Sequence, residues 1–336
     1  MTFRERVRRA VQFQETDIVP YAVTFTGGAR QKLAEYYGDP DFEGKIGNHL
    51  AWFSHSGYMK WTEVKPGHYC DDWGVIWNRT VDKDIGVVEN RVLPEPSLRD
   101  FQIPDIPVCD IEKAYPRFIQ ANHDKFRVVV MGFSLFERAW TLRGMEQLLV
   151  EMLEAPGFVH ELLDRILEVN MAHLDIALAH NIDCLLFGDD WGSQSGLIMG
   201  PKLWREFIRP RVAKMYERVS AAGKYVAIHS CGDVRAVLPD LVEVGLNIFN
   251  PFQPETMDIF ETKKRYYGKL SFYGGISVQT LLPRGTPDDV RRETKKLLEV
   301  LGRGGGYIAS PSHDVPVDVP PENMAAMIEV LQNQPA

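Results

Sequence analysis

Cysteine is scarce in this sequence. Cys70, Cys109, Cys184 and Cys231 are the four in 336 residues, scattered and without a C-x-x-C pair. A disulfide framework is not expected, and a reducing, cytoplasmic setting fits better. Long apolar runs are missing too: none approaches the roughly 20 residues of a membrane span. The opening stretch, MTFRERVRRAVQF, carries charge throughout and lacks the apolar segment of a signal peptide. Positive charge is not in excess, since the formal net charge is -8 at pH 7. That argues against nucleic acid or an anionic membrane as a partner. Neither a G-x-G-x-x-G nor a P-loop follows any apolar run, which disfavours nucleotide binding. Low-complexity tracts and short repeats are also absent. A soluble enzyme acting on a small molecule remains.

Forty-five per cent of the residues are hydrophobic, enough for a large core. Short β-rich runs alternate with longer helical patterns. The runs are Asp17 to Phe25, Phe126 to Phe133, Cys184 to Asp190, Tyr225 to Gly232, Asn247 to Phe252, Leu270 to Ile276 and Tyr307 to His313. Near-continuous apolar strands between helices indicate a parallel sheet covered on both faces. Helices are expected at the N-terminus, with Phe3, Val7, Val11 and Phe13 inward and the arginines solvated. Two more are expected on either side of Pro156-Gly157, one from Pro201 to Gly223, one opened by Thr286 as N-cap, and one at the C-terminal end. The alternation defines an α/β chain. A single (β/α)8 TIM barrel over residues 1–336, with an N-terminal helix (1–14) and an insertion at about 45–106, is preferred over an open doubly wound sheet. An eighth strand is expected somewhere within 45–106. HYCDDWGVIWNRTV in that region reads as a hairpin or lid.

Barrel active sites form at the carboxyl ends of the strands, and here those ends are polar. Asp189 and Asp190 close one, His229 and Cys231 the next, Asn250 another, Tyr273 another, and Ser310, Ser312 and His313 the last. Glu137 follows VVVMGFSLF. Residues i and i+2 of a strand share a face, so His229 and Cys231 set an imidazole beside a thiol, a donor pair that suits zinc. His313 is the candidate third ligand, and three protein ligands with one open position is the pattern of a catalytic zinc site. H-x-C alone is a weak signal, because Cys is often a small buried hydrophobe. Glu137 and Asp189 are the candidate proton carriers, although Asp190 and Asp189 each also suit a helix N-cap. Trp73 in the suspected lid is the aromatic residue best placed to touch a ligand.

FGDDWGSQSGLIMGPKLWREFIRPRVAKM, HSCGDVRAVLPDLVEVGLNIFNPFQPE, FYGGISVQTLLPRGTPDDVRRE and GGGYIASPSHDVPVDVPPENMAAMIE resemble the uroporphyrinogen decarboxylase superfamily. That superfamily includes corrinoid-dependent methyltransferases, and the resemblance extends over nearly the whole chain. It implies a (β/α)8 barrel. The decarboxylase branch works without metal and binds substrate carboxylates through an R-Q-A-G-R segment. In TFTGGARQKL here, Arg30 fits the second arginine but Thr26 stands at the first, which removes one of two bidentate clamps. Such an enzyme also needs an aspartate, for which Asp71 or Asp72 lies in the right region. The methyltransferase branch holds zinc with H-x-C and a later Cys. His229 and Cys231 match, while His313 occupies the later position and is also a decarboxylase-like residue.

The resemblance therefore implies a zinc-dependent methyltransferase. It would move a methyl group between a methylated substrate, such as a methoxy compound, or a thiol and a corrinoid (cobalamin) on a separate corrinoid-binding protein. Zn2+ would sit on His229, Cys231 and His313. Arg30, Trp73, Asn250 and Tyr273 would contact substrate, and a homodimer is compatible with the family. The alternative is a metal-free decarboxylase of a tetrapyrrole. A third reading is a non-catalytic member that binds a small molecule or a protein.

Overall fold

The computed structural model describes residues 1–335. Seven parallel strands form the central sheet, and each pairs with the next in chain order. They are β1 Leu50–Ser54, β2 Phe126–Met131, β3 Cys184–Gly188, β4 Tyr225–His229, β5 Ile248–Phe252, β6 Ser271–Ile276 and β7 Tyr307–Pro311. β1, within the 45–106 region, is the strand whose position the sequence left open. The insertion proper therefore begins after Ser54.

The run Asp17 to Phe25, expected as a strand, joins the sheet only through isolated bridges, Tyr21 to Ala309 and Phe25 to Val315. Side chains replace its ladder on the other side. The Tyr21 N–H donates to His49 Nδ1 at 2.8 Å and the Val23 N–H to Asn48 Oδ1 at 2.9 Å. Pro20, with no N–H of its own, contributes a carbonyl to Ala309 instead. The segment thus lies between β7 and the start of β1 and spans the gap between the two edge strands. The result is a TIM-barrel-like α/β fold.

Alternation along the strands sorts the side chains into two cores. Leu50, Phe126, Val128, Cys184, Leu186, Ala227, Ile248, Tyr273 and Ile308 fill the interior, together with Ala22 and with Val7 and Val11 of the N-terminal helix Phe3–Val11. That helix plugs the floor. Val129, Leu185, Phe187, Val226, Ile228, Phe249 and Phe272 face outward against the surrounding helices.

The arginines of the N-terminal helix are only in part a solvated face: Arg8 stays exposed while it pairs. Arg6 is buried and pairs with Asp17 at 2.6 Å, while Arg4 and Arg8 grip the fully buried Asp183. A buried carboxylate needs cations and N–H donors at hand, and these arginines supply them, fastening the plug to the sheet.

The helices start and stop where their caps dictate. Thr286 accepts the Asp289 N–H, and Asp289 answers to the Thr286 N–H, a reciprocal capping box. Met145–Glu154 and Pro156–Leu178 meet at the expected break. In the insertion, Thr62–Lys65, His68–Cys70, Ile76–Asn78 and Val87–Val88 form a four-stranded antiparallel sheet. Its central hairpin pairs Tyr69 with Trp77 across a turn at Gly74, whose φ of 81° favours glycine. Residues 94–107 cross back without helix or strand. Among the described residues, no helix is long and apolar enough to cross a membrane.

Candidate metal centre

The two-residue period that fills the interior also builds the site above it. Carrying each inward series one step past its last apolar member gives Thr24, Ser54, Gly132, Gly188 with Asp190, His229, Asn250 and Ser310. All of these line one cavity of about 540 Å³, with Trp52, Val130, Leu186 and Tyr273 among its apolar and aromatic walls. Glu137, Arg30, His313 and Asp314 complete its polar lining.

His229, Cys231 and His313 converge there, with one ligand atom of each lying within 4.8 Å of the others. Cys231 Sγ is 3.4 Å from His229 Nε2. A sulfur and a nitrogen at ordinary zinc bond lengths and a tetrahedral angle stand about 3.6 Å apart, so this pair is already spaced as two ligands of one ion. The His229 and His313 rings meet edge to face, with centroids 5.3 Å apart.

Asn250 fixes the tautomer of His229. Its Nδ2 donates to the Tyr273 carbonyl at 2.9 Å, so its Oδ1 is the atom 2.6 Å from His229 Nδ1 and must accept. Nδ1 then carries the proton and Nε2 keeps its lone pair on the Cys231 side. An outer hydrogen bond that orients the ligand is what a metal-binding histidine requires. Asn250, expected to touch substrate, lines the pocket and is at the same time hydrogen-bonded to His229 and the Tyr273 backbone. Cys231 is held as firmly: its N–H donates to Asp190 Oδ1 at 2.8 Å, and the next N–H, of Gly232, donates to Gln253. Burial, then the Asp190 carboxylate, pushes the Cys231 thiol pKa up in the metal-free protein.

The two neighbouring aspartates part company. Asp189, expected as a proton carrier, lies on the outward parity and is fully buried. Its carboxylate accepts the N–H groups of Leu135, Phe136 and Glu137 and the Trp191 indole N–H. It caps the helix Phe136–Arg143 and does not line the pocket. Asp190 takes the pocket position, and the alternation through Leu186 and Gly188 would have picked it out from the sequence. Glu137, in the first turn of the capped helix, does line the pocket. Burial, then Asp190 and Asp189, pushes its pKa up to about 9, which favours its neutral acid form.

The remaining candidates separate by position. Arg30 reaches the rim and pairs with Glu43 at 3.0 Å. Thr26 is the N-cap of the helix Gly27–Tyr37, accepting the Ala29 N–H, which is a structural task. Tyr273 is buried in the wall. Trp73 does not line this pocket; it stacks on Phe101 and carries the Arg138 guanidinium 5.1 Å from its ring centre. Asp71 is tied to Arg138, the Trp77 indole and two backbone N–H groups, so it is not free to meet a substrate. Thr24 with its partner Asp314, and Trp52, were not singled out from the sequence. For Thr24 and Trp52 the available signal was strand parity.

A TIM-barrel-like sheet bearing a His-x-Cys pair and a distant His at its carboxyl mouth is the layout of an enzyme. The chain belongs to the uroporphyrinogen decarboxylase (URO-D) family, whose model matches residues 100–334. It is 25% identical over 218 residues to the uroporphyrinogen decarboxylase of Methylococcus capsulatus, covering 61% of this chain and 59% of that protein. It is 22% identical over 200 residues to a methylated-thiol–coenzyme M methyltransferase of Methanosarcina mazei, covering 60% and 51%. The matches thus span little more than half the length of these relatives. A solved methyltransferase from Methanosarcina mazei shares the fold, with a TM-score of 0.73 at 18% identity over 99% of this chain and 98% of that one.

Proposed function

We propose that this protein is a zinc-dependent methyltransferase. It moves a methyl group between a small methylated substrate, such as a methoxy compound, or a thiol and a corrinoid carried by a separate protein. The observation that carries the reading is the convergence of His229, Cys231 and His313 within 4.8 Å. One thiol and two imidazoles form a borderline-soft donor set that suits zinc, and three protein ligands leave a position open for a heteroatom. When bound, zinc supplies Lewis acidity toward that heteroatom and favours the thiolate of a thiol substrate.

The other residues have separate tasks. Asn250 holds His229 with its Nε2 lone pair free. The Asp190 carboxylate accepts the Cys231 N–H and fixes the loop. Glu137, favoured in its neutral acid form, supplies a proton to the departing oxygen of a methoxy donor, since an alkoxide leaves poorly without one. The deep walls, Trp52, Val130 and Leu186, are apolar and keep water from the methyl carbon. The corrinoid protein docks at the open mouth.

Sequence similarity to decarboxylases supports a second reading, a metal-free decarboxylase of a tetrapyrrole. The pocket chemistry weighs against it: one guanidinium, Arg30, stands among the carboxyl groups of Glu137, Asp190 and Asp314. A substrate rich in carboxylates needs the opposite balance. The test is to incubate the zinc-loaded protein with cob(I)alamin and panels of methoxyarenes and methylated thiols, following methylcobalamin by absorbance. Methyl transfer that vanishes on chelation supports the proposal, and turnover of a porphyrinogen by metal-free protein overturns it.

A further inference from the structure

Two aspartates from different parts of the chain grip a single turn of helix. From below, Asp189 accepts the N–H groups of Leu135, Phe136 and Glu137. From the side of the inserted sheet, Asp71 Oδ2 accepts from Arg138 Nη1 at 2.8 Å. Glu137 and Arg138 are neighbours in that turn, one lining the pocket and the other facing the insertion. The turn follows Phe133, a non-glycine residue at φ 52°, a backbone conformation that persists only where its surroundings enforce it.

The enforcing contacts come from the insertion. The Trp77 ring meets Phe133 edge-on at 5.3 Å, and the Arg138 guanidinium lies 5.1 Å from the Trp73 ring centre and 5.5 Å from that of Phe133. Asp71 organises all of this. Its Oδ1 accepts the Trp73 and Val75 N–H groups, which shapes the hairpin turn, and its Oδ2 also accepts the Trp77 indole N–H at 3.1 Å. Ile85, in the loop between the last two strands of the inserted sheet, forms part of the pocket wall.

We propose that Asp71 is a positioning residue: through Arg138 it latches the antiparallel sheet beside the pocket and fixes the helical turn that presents Glu137. The inference rests on the reading of Glu137 as the proton donor, but its structural part stands apart from the reaction. With Asp71 neutralised, the Arg138 guanidinium loses the carboxylate that ties it to the inserted sheet, and the helical turn that presents Glu137 is no longer held from that side.

The test is hydrogen–deuterium exchange on the full-length protein as purified, comparing wild type with Asp71→Asn. Exchange is expected to rise at least tenfold both in the sheet, residues 62–88, and in residues 133–139, with the strands β3 to β7 unchanged. If only residues 71–78 loosen, Asp71 merely shapes its own turn and the latch is refuted. Should Asp71→Asn fail to fold, Arg138→Met and Arg138→Lys ask the same question. The latch requires Met to loosen both segments and Lys, which keeps the charge, to restore most of the protection; equal loosening by both overturns it. Zinc content and methyl transfer are measured on the same samples. Protein without zinc or transfer activity undermines the proposed function yet leaves the exchange result decisive for the latch.

Discussion

Replacing Glu137 with Gln is expected to stabilise the metal-free protein, and to do so more strongly as pH rises. Burial, then the neighbouring aspartates, push the Glu137 pKa up to about 9, against an ordinary value of 4.5. Between those limits the unfolded chain releases the proton and the folded one retains it, so folding stability falls as pH increases through the window. Each pH unit there costs about 1.4 kcal/mol. From pH 5.5 to pH 8 the wild type therefore loses about 3 kcal/mol that a glutamine at 137, which cannot ionise, does not lose. The Asp190 and Asp189 carboxylates contribute to raising it, so the figure belongs to the cluster. The assay is urea denaturation of both proteins in the presence of a chelator at pH 5.5, 7 and 8. A gap in stability that widens with pH, in favour of Glu137→Gln, is the expected result. A gap that stays constant, or a glutamine variant that is less stable at pH 8, refutes the reasoning by showing Glu137 ionised in the folded state. The same variant should lose methyl transfer from methoxy donors, so stability and activity are expected to move in opposite directions.

Asp189→Ala strips the acceptor from three backbone N–H groups and an indole N–H in a fully buried place. A loss of about 3–5 kcal/mol is expected, read as a shift in urea midpoint. Asn250→Ala removes the hydrogen bond that sets the His229 tautomer, and zinc affinity measured by competition with a chelator should fall about 10- to 100-fold with the fold intact. Thr26→Ala should cost about 1 kcal/mol through loss of the helix cap, while zinc binding stays at the wild-type level.

Much of this layout was legible because periodicity and chemistry agreed. Along the inward face of the strands, Ala227, Ile248 and Ile308 are apolar and His229, Asn250 and Ser310 follow them, so a change to polar residues marks the mouth. Reading parity further would have chosen Asp190 over Asp189, since Leu186, Gly188 and Asp190 share a face. Other features depend on contacts distant in sequence. LAWFS, Leu50 to Ser54, is short and holds no β-branched residue, so β1 was not singled out. Tyr21 and Val23 have strand-like side chains, but their N–H groups go to His49 and Asn48, an exchange that no local pattern announces. The arginines at 4, 6 and 8 look like a solvated face until Asp17 and Asp183 fold beneath them. Trp73 and Asp71 look like substrate contacts until Arg138, far along the chain, takes them both.

The central claim is a zinc ion held by one thiolate and two imidazoles at the pocket mouth. The most direct measurement is metal analysis of the purified protein by plasma mass spectrometry, joined with zinc-edge X-ray absorption. One zinc per chain is expected, with one sulfur and two imidazole nitrogens in its first shell, and the zinc should be lost in His229→Ala and Cys231→Ser. Protein that carries no zinc after purification and reconstitution, or a Cys231→Ser variant that keeps it with an unchanged spectrum, contradicts the claim.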